Sequence, residues 1–190
     1  PVSSFALMGG AVQGRDLNLT MGNAMVTTLA GSSGIFGFAD GTGLAARFNG
    51  PYGITTDGAN LYVSDNSNHT IRKVVIATGI VTTLAGSAGS SGSADGTGSA
   101  ARFNQPVGIT TDGMNLYVTD YHNYTIRKIV IATGAVTTLA GSAGILGSNY
   151  DGTGSAARFY APQGITTDGK NLYIADTYNN TIRKISNADL

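Results

Sequence analysis

The chain has 190 residues, which suffices for one domain with a substantial core. Its 11 basic and 11 acidic residues balance and only 12% of residues are charged, so no basic field is available to attract nucleic acid or anionic lipid. Cysteine is absent, which excludes disulfides and thiolate chemistry, and no apolar run approaches the ~20 residues that a membrane-spanning helix needs.

Residues 1–25 stand outside the regular part of the sequence. They have neither the basic start nor the long apolar stretch of a signal peptide. The segment Asp-Leu-Asn-Leu-Thr at 16–20 alternates in polarity, as an edge strand does. We predict that residues 1–25 form an accessory arm.

Three nearly identical units follow the arm at regular spacing. The motif Asn-Leu-Tyr-x-x-Asp ends at Asp65, Asp120 and Asp176, so the period is 55 and then 56 residues. A fixed period of this size indicates a repeat architecture. Each residue therefore has to be interpreted together with its counterparts in the other units.

Each unit predicts four short antiparallel strands, called a to d, because polarity alternates with a period of two between turn residues. Asp-Gly pairs at 57–58, 112–113 and 168–169 supply the positive φ angles of tight hairpins. In the second unit the predicted strands are a at Gly108–Thr111, b at Asn115–Thr119, c at Thr125–Ile131 and d at Ala135–Leu139. In the loop before strand a, Ser-Ala-Ala-Arg at 99–102 predicts one helical turn capped by Ser99.

A four-stranded meander in tandem is the unit of a β-propeller, so we predict an all-β propeller of four-stranded antiparallel blades. A solenoid is the competing architecture, but hairpin turns every ~10 residues favour antiparallel blades. The predicted propeller covers residues 26–190. It comprises a strand d at 26–30, blade one at 51–85, blade two at 106–140 and blade three at 162–190, which lacks its own strand d.

The order of motifs within each unit resembles the NHL repeat. The second copy contains Pro106-Val107-Gly108-Ile109, Asn115-Leu116-Tyr117 and Asn123-Tyr124-Thr125-Ile126, and equivalents begin at Pro51 and Pro162. The resemblance covers residues 26–185 and implies a propeller fold. The family resembled includes bacterial extracellular sensor and lipoprotein domains, protein- and RNA-binding scaffolds and an amidating lyase. The likeness is strongest to tandem propellers of bacterial surface proteins.

Charged residues recur at matching positions in every unit. A catalytic site needs an asymmetric set of groups, whereas a residue repeated in each blade more often performs one structural task three times. We therefore assign structural roles to the aspartate that ends strand b and to the arginine of strand c: Asp65, Asp120, Asp176, Arg72, Arg127 and Arg183. The aspartates are expected to bond turn amides. The functional alternative is a ring of carboxylates near the channel that holds Ca²⁺.

Histidine gives little support to a metal site. His69 and His122 are the only two, and they fall at different positions of their turns. Single histidines out of register make a poor metal cluster, and the resemblance to the lyase would require several histidine ligands. We predict no catalytic residue, no metal ligand and no cofactor, with calcium as the alternative just given.

The turns between strands b and c vary among the units. They are Asn-Ser-Asn-His at 66–69, Tyr-His-Asn-Tyr at 121–124 and Thr-Tyr-Asn-Asn at 177–180, and only the third position is kept. In a meander these turns emerge at the same end as the d–a loops, and tyrosine is a favoured contact residue. The predicted binding residues are His69, Tyr121, His122, Tyr124, Tyr178 and Asn180. The alternative is that these positions vary because they are exposed.

These patterns predict a non-catalytic binding or assembly scaffold that recognises a protein, peptide or glycan through the b–c turns and d–a loops. The alternative is a hydrolase or lyase with a metal in the propeller channel. A third hypothesis, RNA binding, is disfavoured by the zero net charge. Low charge, the lack of cysteine and many Thr, Asn and Gly residues indicate a bacterial protein outside the cell, on its surface or in the periplasm.

The phase of the repeat predicts a homodimer. Propellers need roughly four to eight blades to close, and this chain supplies three. Val-Thr-Thr-Leu at 26–29 matches strand d but precedes the first strand a, and strand c at 181–185 has no strand d after it. Pairing d of one chain with c of another, twice, would close a six-bladed ring. The alternative is that the chain is a piece of a longer single-chain propeller.

Overall fold

The computed structural model describes residues 24–147 and 150–186, and in this part the chain is all-β with three antiparallel sheets. The prediction of an all-β propeller is confirmed, and the described residues form part of one. Most of the predicted arm at 1–25, including the edge strand at 16–20, lies outside the described residues. None of the helices in the described ranges is long and apolar enough to cross a membrane.

Each sheet is one blade. Blade one consists of β1 (Gly41–Thr42), β2 (Pro51–Thr56), β3 (Asn60–Asp65), β4 (Thr70–Val75) and β5 (Ile80–Gly86). Blade two consists of β6 (Gly96–Thr97), β7 (Pro106–Thr111), β8 (Asn115–Asp120), β9 (Thr125–Val130) and β10 (Ala135–Gly141). Blade three consists of β11 (Pro162–Thr167), β12 (Leu172–Asp176) and β13 (Thr181–Ile185). The spatial orders are β1-β5-β4-β3-β2, β6-β10-β9-β8-β7 and β11-β12-β13.

Short 3₁₀ turns connect the strands at two recurring places. Three follow strand b, at Asn66–Asn68, Tyr121–Asn123 and Thr177–Asn179, and three lie in the loops before strand a, at Gly43–Ala45, Gly98–Ala100 and Gly154–Ala156. The predicted cap is wrong: Ser99 lies inside its turn, and Thr97 before the turn makes no side-chain cap. The turn begins instead at Gly98, whose φ of 54° suits glycine.

The predicted strands a to d correspond to β2–β5, to β7–β10 and, for a to c, to β11–β13. In blades one and two the structure adds a two-residue strand outside strand d, β1 and β6, which the sequence pattern did not predict. In blade two, Gly96 of β6 lies opposite Val136 of β10, so the long loop runs along the outer edge before it returns to strand a. Residues 26–30, predicted as a strand d, pair with no strand in the described part of the chain.

The a–b hairpin is held by the aspartate of its Asp-Gly pair. Oδ1 of Asp57 accepts hydrogen bonds from the backbone N–H groups of Ala59 (2.9 Å) and Asn60 (2.7 Å). Oδ2 accepts the hydroxyl of Tyr62 at 2.7 Å. The Asn60 side-chain amide also donates to Oδ2, at 3.0 Å. This bond, together with the other three, holds the pKa of Asp57 well below its usual range, while burial raises the pKa of Tyr62 to about 12. The carboxylate therefore stays charged and keeps the hairpin closed.

Neighbouring blades meet most closely along strand a, which is the innermost strand. β2 contacts β7, and β7 in turn contacts β11. A Cβ on Gly53 would overlap the carbonyl oxygen of Val107, and a Cβ on Gly108 would overlap that of Gln163. Glycine is needed here because the backbones of adjacent blades touch where a side chain would begin.

Apolar residues between the blades form the core. Tyr62 and Ile71 of blade one pack in one cluster with Leu116 and Val118 of blade two, and Phe103 from the connecting loop is fully buried among them. A second cluster joins blades two and three in the same way. Both faces of the middle blade are thus covered, which explains why its strands are apolar on both sides.

The outer faces of blades one and three are open. Ile54 of blade one is 61% exposed, whereas its counterpart Ile109 is 6% exposed. Ile182 of blade three is 74% exposed, whereas its counterparts Ile71 and Ile126 are 0% exposed. The buried isoleucines lie against a neighbouring blade, and the exposed ones have no blade beside them. The described molecule is therefore an open arc with an apolar surface at each end.

Candidate binding face

The framework of the site is a buried ion pair repeated in every blade. In blade one, Oδ2 of Asp65 accepts hydrogen bonds from Arg72 (2.9 Å) and from the Asn68 amide (2.7 Å). Oδ1 accepts the backbone N–H of Asn49 at 2.7 Å, in the segment before strand a. Neither member of the ion pair has exposed side-chain surface. The expectation that Asp65 bonds turn amides gave only part of this set, because it did not include the arginine.

The guanidinium of the same arginine reaches the long loop. It donates to Asp40 at 2.8 Å and to the carbonyl oxygen of Arg47 at 2.8 Å, and its carbon lies 5.1 Å from the ring centre of Phe48. Arg127 and Arg183 make the corresponding contacts in blades two and three. The repeated charges are therefore engaged in tying strand c to the b–c turn and to the loop.

These buried carboxylates are poorly placed to bind an ion in the channel. Asp65, Asp120 and Asp176 are each 0% exposed, and each pairs with an arginine. Within residues 24–147 and 150–186, no group of three or more acidic or histidine side chains could hold a metal ion. The described donor set does not fit a calcium ring.

The constant asparagine of the b–c turn belongs to the framework. Asn123 donates to Asp120 at 2.7 Å and to the carbonyl oxygen of Gly92 at 2.6 Å, and it is buried. The residue after it, Tyr124, has a φ of 59°. The chain thus turns back sharply around a fixed amide, and the residues that differ among the turns are the ones outside this set of bonds.

The variable positions bring aromatic side chains together across blades two and three. A hydrogen bond with the Tyr178 hydroxyl, together with burial, raises the pKa of Tyr121 to about 12. The ring of Tyr160 lies 6.1 Å from that of Tyr124 and 5.0 Å from that of Tyr178. His122 stands edge-on to Tyr121 at 4.7 Å.

His69 extends this cluster to blade one. Its Nδ1 accepts the backbone N–H of Gln105 at 3.1 Å, just before strand a of blade two. Burial, and then the charge of nearby His122, lower the pKa of His69. Since an imidazolium has no acceptor nitrogen, the neutral form is the one that makes this bond. We name the set His69, Tyr121, His122, Tyr124, Tyr160 and Tyr178 the aromatic face.

The structure places five of the six predicted binding residues in the aromatic face. Asn180, the sixth, is exposed at the corresponding position of blade three, beyond which no further blade is described. Tyr160 was missed. Comparing the segments before each strand a would have found it, because its counterparts Asn49 and Asn104 are not aromatic.

The fold defines a repeat propeller of four-stranded blades, with the aromatic face at the end where the b–c turns lie. No family model matches the chain. NHL repeat-containing protein 2 of Bos taurus is 38% identical over 160 residues, which cover 77% of this chain and 21% of that protein. The chain thus spans about a fifth of that relative's length.

Solved structures agree with this similarity. A structural genomics protein of unknown function from Bacteroides thetaiotaomicron is 33% identical, with a TM-score of 0.62 over 67% of this chain and 32% of that one. An auxiliary nutrient binding protein from Bacteroides ovatus is 26% identical, with a TM-score of 0.64 over 76% and 39% of the two chains. This chain is an NHL-repeat β-propeller.

Proposed function

We propose that the chain is a non-catalytic binding scaffold whose aromatic face recognises a protein, peptide or glycan. The observation that carries the proposal is the contact among Tyr121, Tyr124, Tyr160 and Tyr178 at positions that differ between the repeats. Framework residues that recur in every blade hold the turns, so the aromatic rings are presented on a rigid support. Rigid amphipathic rings give large contact area at small entropic cost.

The scaffold would act outside the cell. The Bacteroides ovatus neighbour is an auxiliary nutrient binding protein, and its likeness supports a binding role for this chain. We propose a bacterial secreted, surface or periplasmic location on the same basis. The proposed binding needs no cofactor, and no donor cluster in the described residues favours a metal-dependent hydrolase or lyase.

We also propose that the chain associates with itself. Its two apolar ends carry equivalents of residues that pack together inside the arc, such as Ile54 and Ile182. Covering both ends would remove an aggregation hazard. A two-fold pair of three-bladed arcs would close a ring of six blades, within the usual range for propellers.

Binding can be tested by removing three rings of the aromatic face. The variant with Tyr121, Tyr124 and Tyr178 changed to Ala and the wild-type chain would be applied to a glycan array and to an immobilised peptide library. Affinity for any captured glycan or peptide should fall at least about tenfold, as loss of central aromatic contacts does. Tyr150→Ala removes a 64% exposed tyrosine outside the cluster and serves as the matched control.

The thermal unfolding midpoint of the triple variant should stay near that of the wild type. Unchanged binding by a folded triple variant would contradict the proposed face. A collapse of stability would show instead that these rings belong to the core.

A further inference from the structure

The outer edge of β13 lacks a strand that both other blades possess. In blades one and two, β4 and β9 are covered by β5 and β10, whereas in the described residues β13 pairs only with β12. A groove of about 430 Å³ runs along this edge. Its walls include Leu139, Phe159, Ile182, Arg183 and Ile185. The groove lies where a strand d would lie.

A carboxylate beside the groove is left uncovered. Thr83 of β5 donates to Asp40 through its hydroxyl (3.0 Å) and its backbone N–H (3.2 Å). Thr138 of β10 donates to Asp95 at 2.9 Å. The side chains of Asp40 and Asp95 are 50% exposed, but the counterpart Asp151 is 95% exposed. The missing strand is therefore expected to carry a threonine opposite Arg183.

Residues 26–31 have the required sequence, and among the described residues no strand c pairs with them. They read Val-Thr-Thr-Leu-Ala-Gly, identical to 81–86 and 136–141, which form strand d in blades one and two. They also stand next to blade one as β5 stands next to blade two. A Cβ on Gly79 would lie 3.1 Å from the carbonyl oxygen of Leu29, and a Cβ on Gly134 would lie 3.1 Å from that of Leu84.

The two incomplete elements cannot meet within one arc of three blades. Val26 is 95% exposed and Ile182 is 74% exposed, at opposite ends of the arc. We propose that residues 26–31 of a second copy add to β13 as strand d, and that the exchange occurs twice in a six-bladed homodimer. This inference rests on the proposed self-association. By the register of β4 with β5, Thr28 of the second copy lies opposite Arg183, and its Val26 opposite Ile185.

The closed ring makes a further demand at Gly164. Gly53 and Gly108 face a carbonyl oxygen of the next blade, but a Cβ on Gly164 would meet only the Ala175 side chain, at 3.5 Å. In the ring, Gly164 would face the carbonyl oxygen of Tyr52 of the second copy, because Tyr52 is the counterpart of Val107 and Gln163. Gly164→Ala should thus leave the free arc folded and prevent the ring from closing.

Light scattering tests the association. The wild-type chain should have a mass near twice 19.3 kDa, and Gly164→Ala and Thr28→Pro should each give a folded monomer. Thr28 is exposed in the arc, so proline there should leave the arc folded. In the exchanged strand it removes both the N–H and the hydroxyl, the two groups with which the counterpart Thr83 bonds Asp40. Met114→Ala, at a 74% exposed position in an a–b turn, should remain dimeric.

Cysteine pairs test the register, and the natural chain has no cysteine to interfere. The double variant Val26→Cys, Ile185→Cys should form a covalent dimer on oxidation, because directly opposed residues have the spacing that a disulfide needs. The control Val26→Cys, Lys184→Cys is one residue out of register and should not.

The outcomes separate the hypotheses. A monomeric wild type overturns both strand exchange and self-association, and a ladder of larger masses overturns two-fold closure. A dimer that persists in both Gly164→Ala and Thr28→Pro, without cross-linking at 26 and 185, overturns strand exchange alone. Binding at the aromatic face is measured separately and does not depend on any of these results.

Discussion

At the residue scale, the buried ion pair makes the stability of the fold sensitive to a single substitution. Arg127 and Asp120 are each 0% exposed, and the arginine also bonds the loop through Arg102 and Asp95. Such a pair costs desolvation to form, so its presence is weak grounds for high stability. Removing one member of the pair is strongly destabilising, because the remaining charge stays buried without a partner.

We predict that Arg127→Ala lowers the free energy of unfolding by about 3–5 kcal/mol. Urea denaturation followed by circular dichroism would measure the loss. Lys128→Ala, at the next and partly exposed position of the same strand, should change stability by less than about 1 kcal/mol. The double variant Asp120→Asn, Arg127→Met should recover part of the loss, and a larger loss in the double variant would contradict the argument.

His69 predicts a pH dependence of stability. Its pKa is lowered in the folded chain, first by burial and then by His122, so the folded state favours the neutral imidazole more than the unfolded state does. This contribution is complete above the unfolded value of about 6.5 and is lost as the pH falls from there through the folded pKa.

Between about pH 7 and about pH 5 the loss of this contribution should lower the thermal midpoint of the wild type, and it opposes the effect of Asp120, whose burial raises its pKa to about 6. The decline due to His69 is therefore measured against a variant that lacks the imidazole. His69→Tyr, which copies the residue at the equivalent position 124, should flatten the decline. The control His122→Ser keeps the bond between His69 and Gln105 and should retain most of it. An equal decline in His69→Tyr would assign the pH dependence to other groups.

At the scale of elements, close approach of the inner strands sets the spacing of the blades. The glycine of strand a occurs in every unit, but only Gly53 and Gly108 face a following blade in the described arc. Glycine is thus required at this position by the backbone of the neighbouring blade rather than by the conformation of strand a. Blade-to-blade contact, more than strand propensity, is what a substitution here tests.

We predict that Gly108→Ala destabilises the chain by about 2 kcal/mol or more, because its Cβ would overlap the Gln163 carbonyl oxygen and part the strands. Gly164→Ala is the matched control, since its Cβ would make only an ordinary contact with the Ala175 side chain, at 3.5 Å, at the end of the arc. Denaturant unfolding of both variants at low protein concentration, where any dimer dissociates, makes the comparison. Equal stability of the two variants would contradict the role given to the neighbouring blade.

At the scale of the whole molecule, the two open ends determine how the chain behaves in solution. Ile54, Ile182 and Val26 expose apolar surface that their counterparts bury or hold in a sheet. Under the proposed exchange, each dimer covers four such ends, two from each chain, with matching surfaces. Folding and association then become linked equilibria.

The thermal midpoint of the wild-type chain should consequently rise with protein concentration, because mass action favours the associated state. Gly164→Ala, which should block closure, should have a midpoint independent of concentration. Calorimetric scans over about a hundredfold range of concentration would measure both. A concentration-independent midpoint for a dimeric wild type would show that association adds nothing to stability.

Much of the fold was predictable because its signals are local. Alternation with a period of two, Asp-Gly turns and the spacing of Asp65, Asp120 and Asp176 predicted the blades and the approximate positions of strands a to d. The two-residue strands β1 and β6 were not predictable, since they exist only because the long loop lies against the edge of strand d.

The aromatic face was predictable in part. The variable turns pointed to Tyr121, Tyr124 and Tyr178, since a position that differs between repeats is released from the common framework. Tyr160 contacts two of them but stands in a different segment of the repeat. Only the packing of blade three against blade two brings that segment to the turns.

The sequence by itself determined the repeat, the blade and the turns, because hydrogen bonds between adjacent strands and turn dihedrals depend on residues close together in the chain. The tertiary structure decided which charges are paired, which rings touch and which surfaces stay open. The clearest case is isoleucine, which is buried at 71 and 126 and exposed at 182 in the same strand position. The difference is a neighbouring blade, and burial depends on what the folded chain places beside a residue.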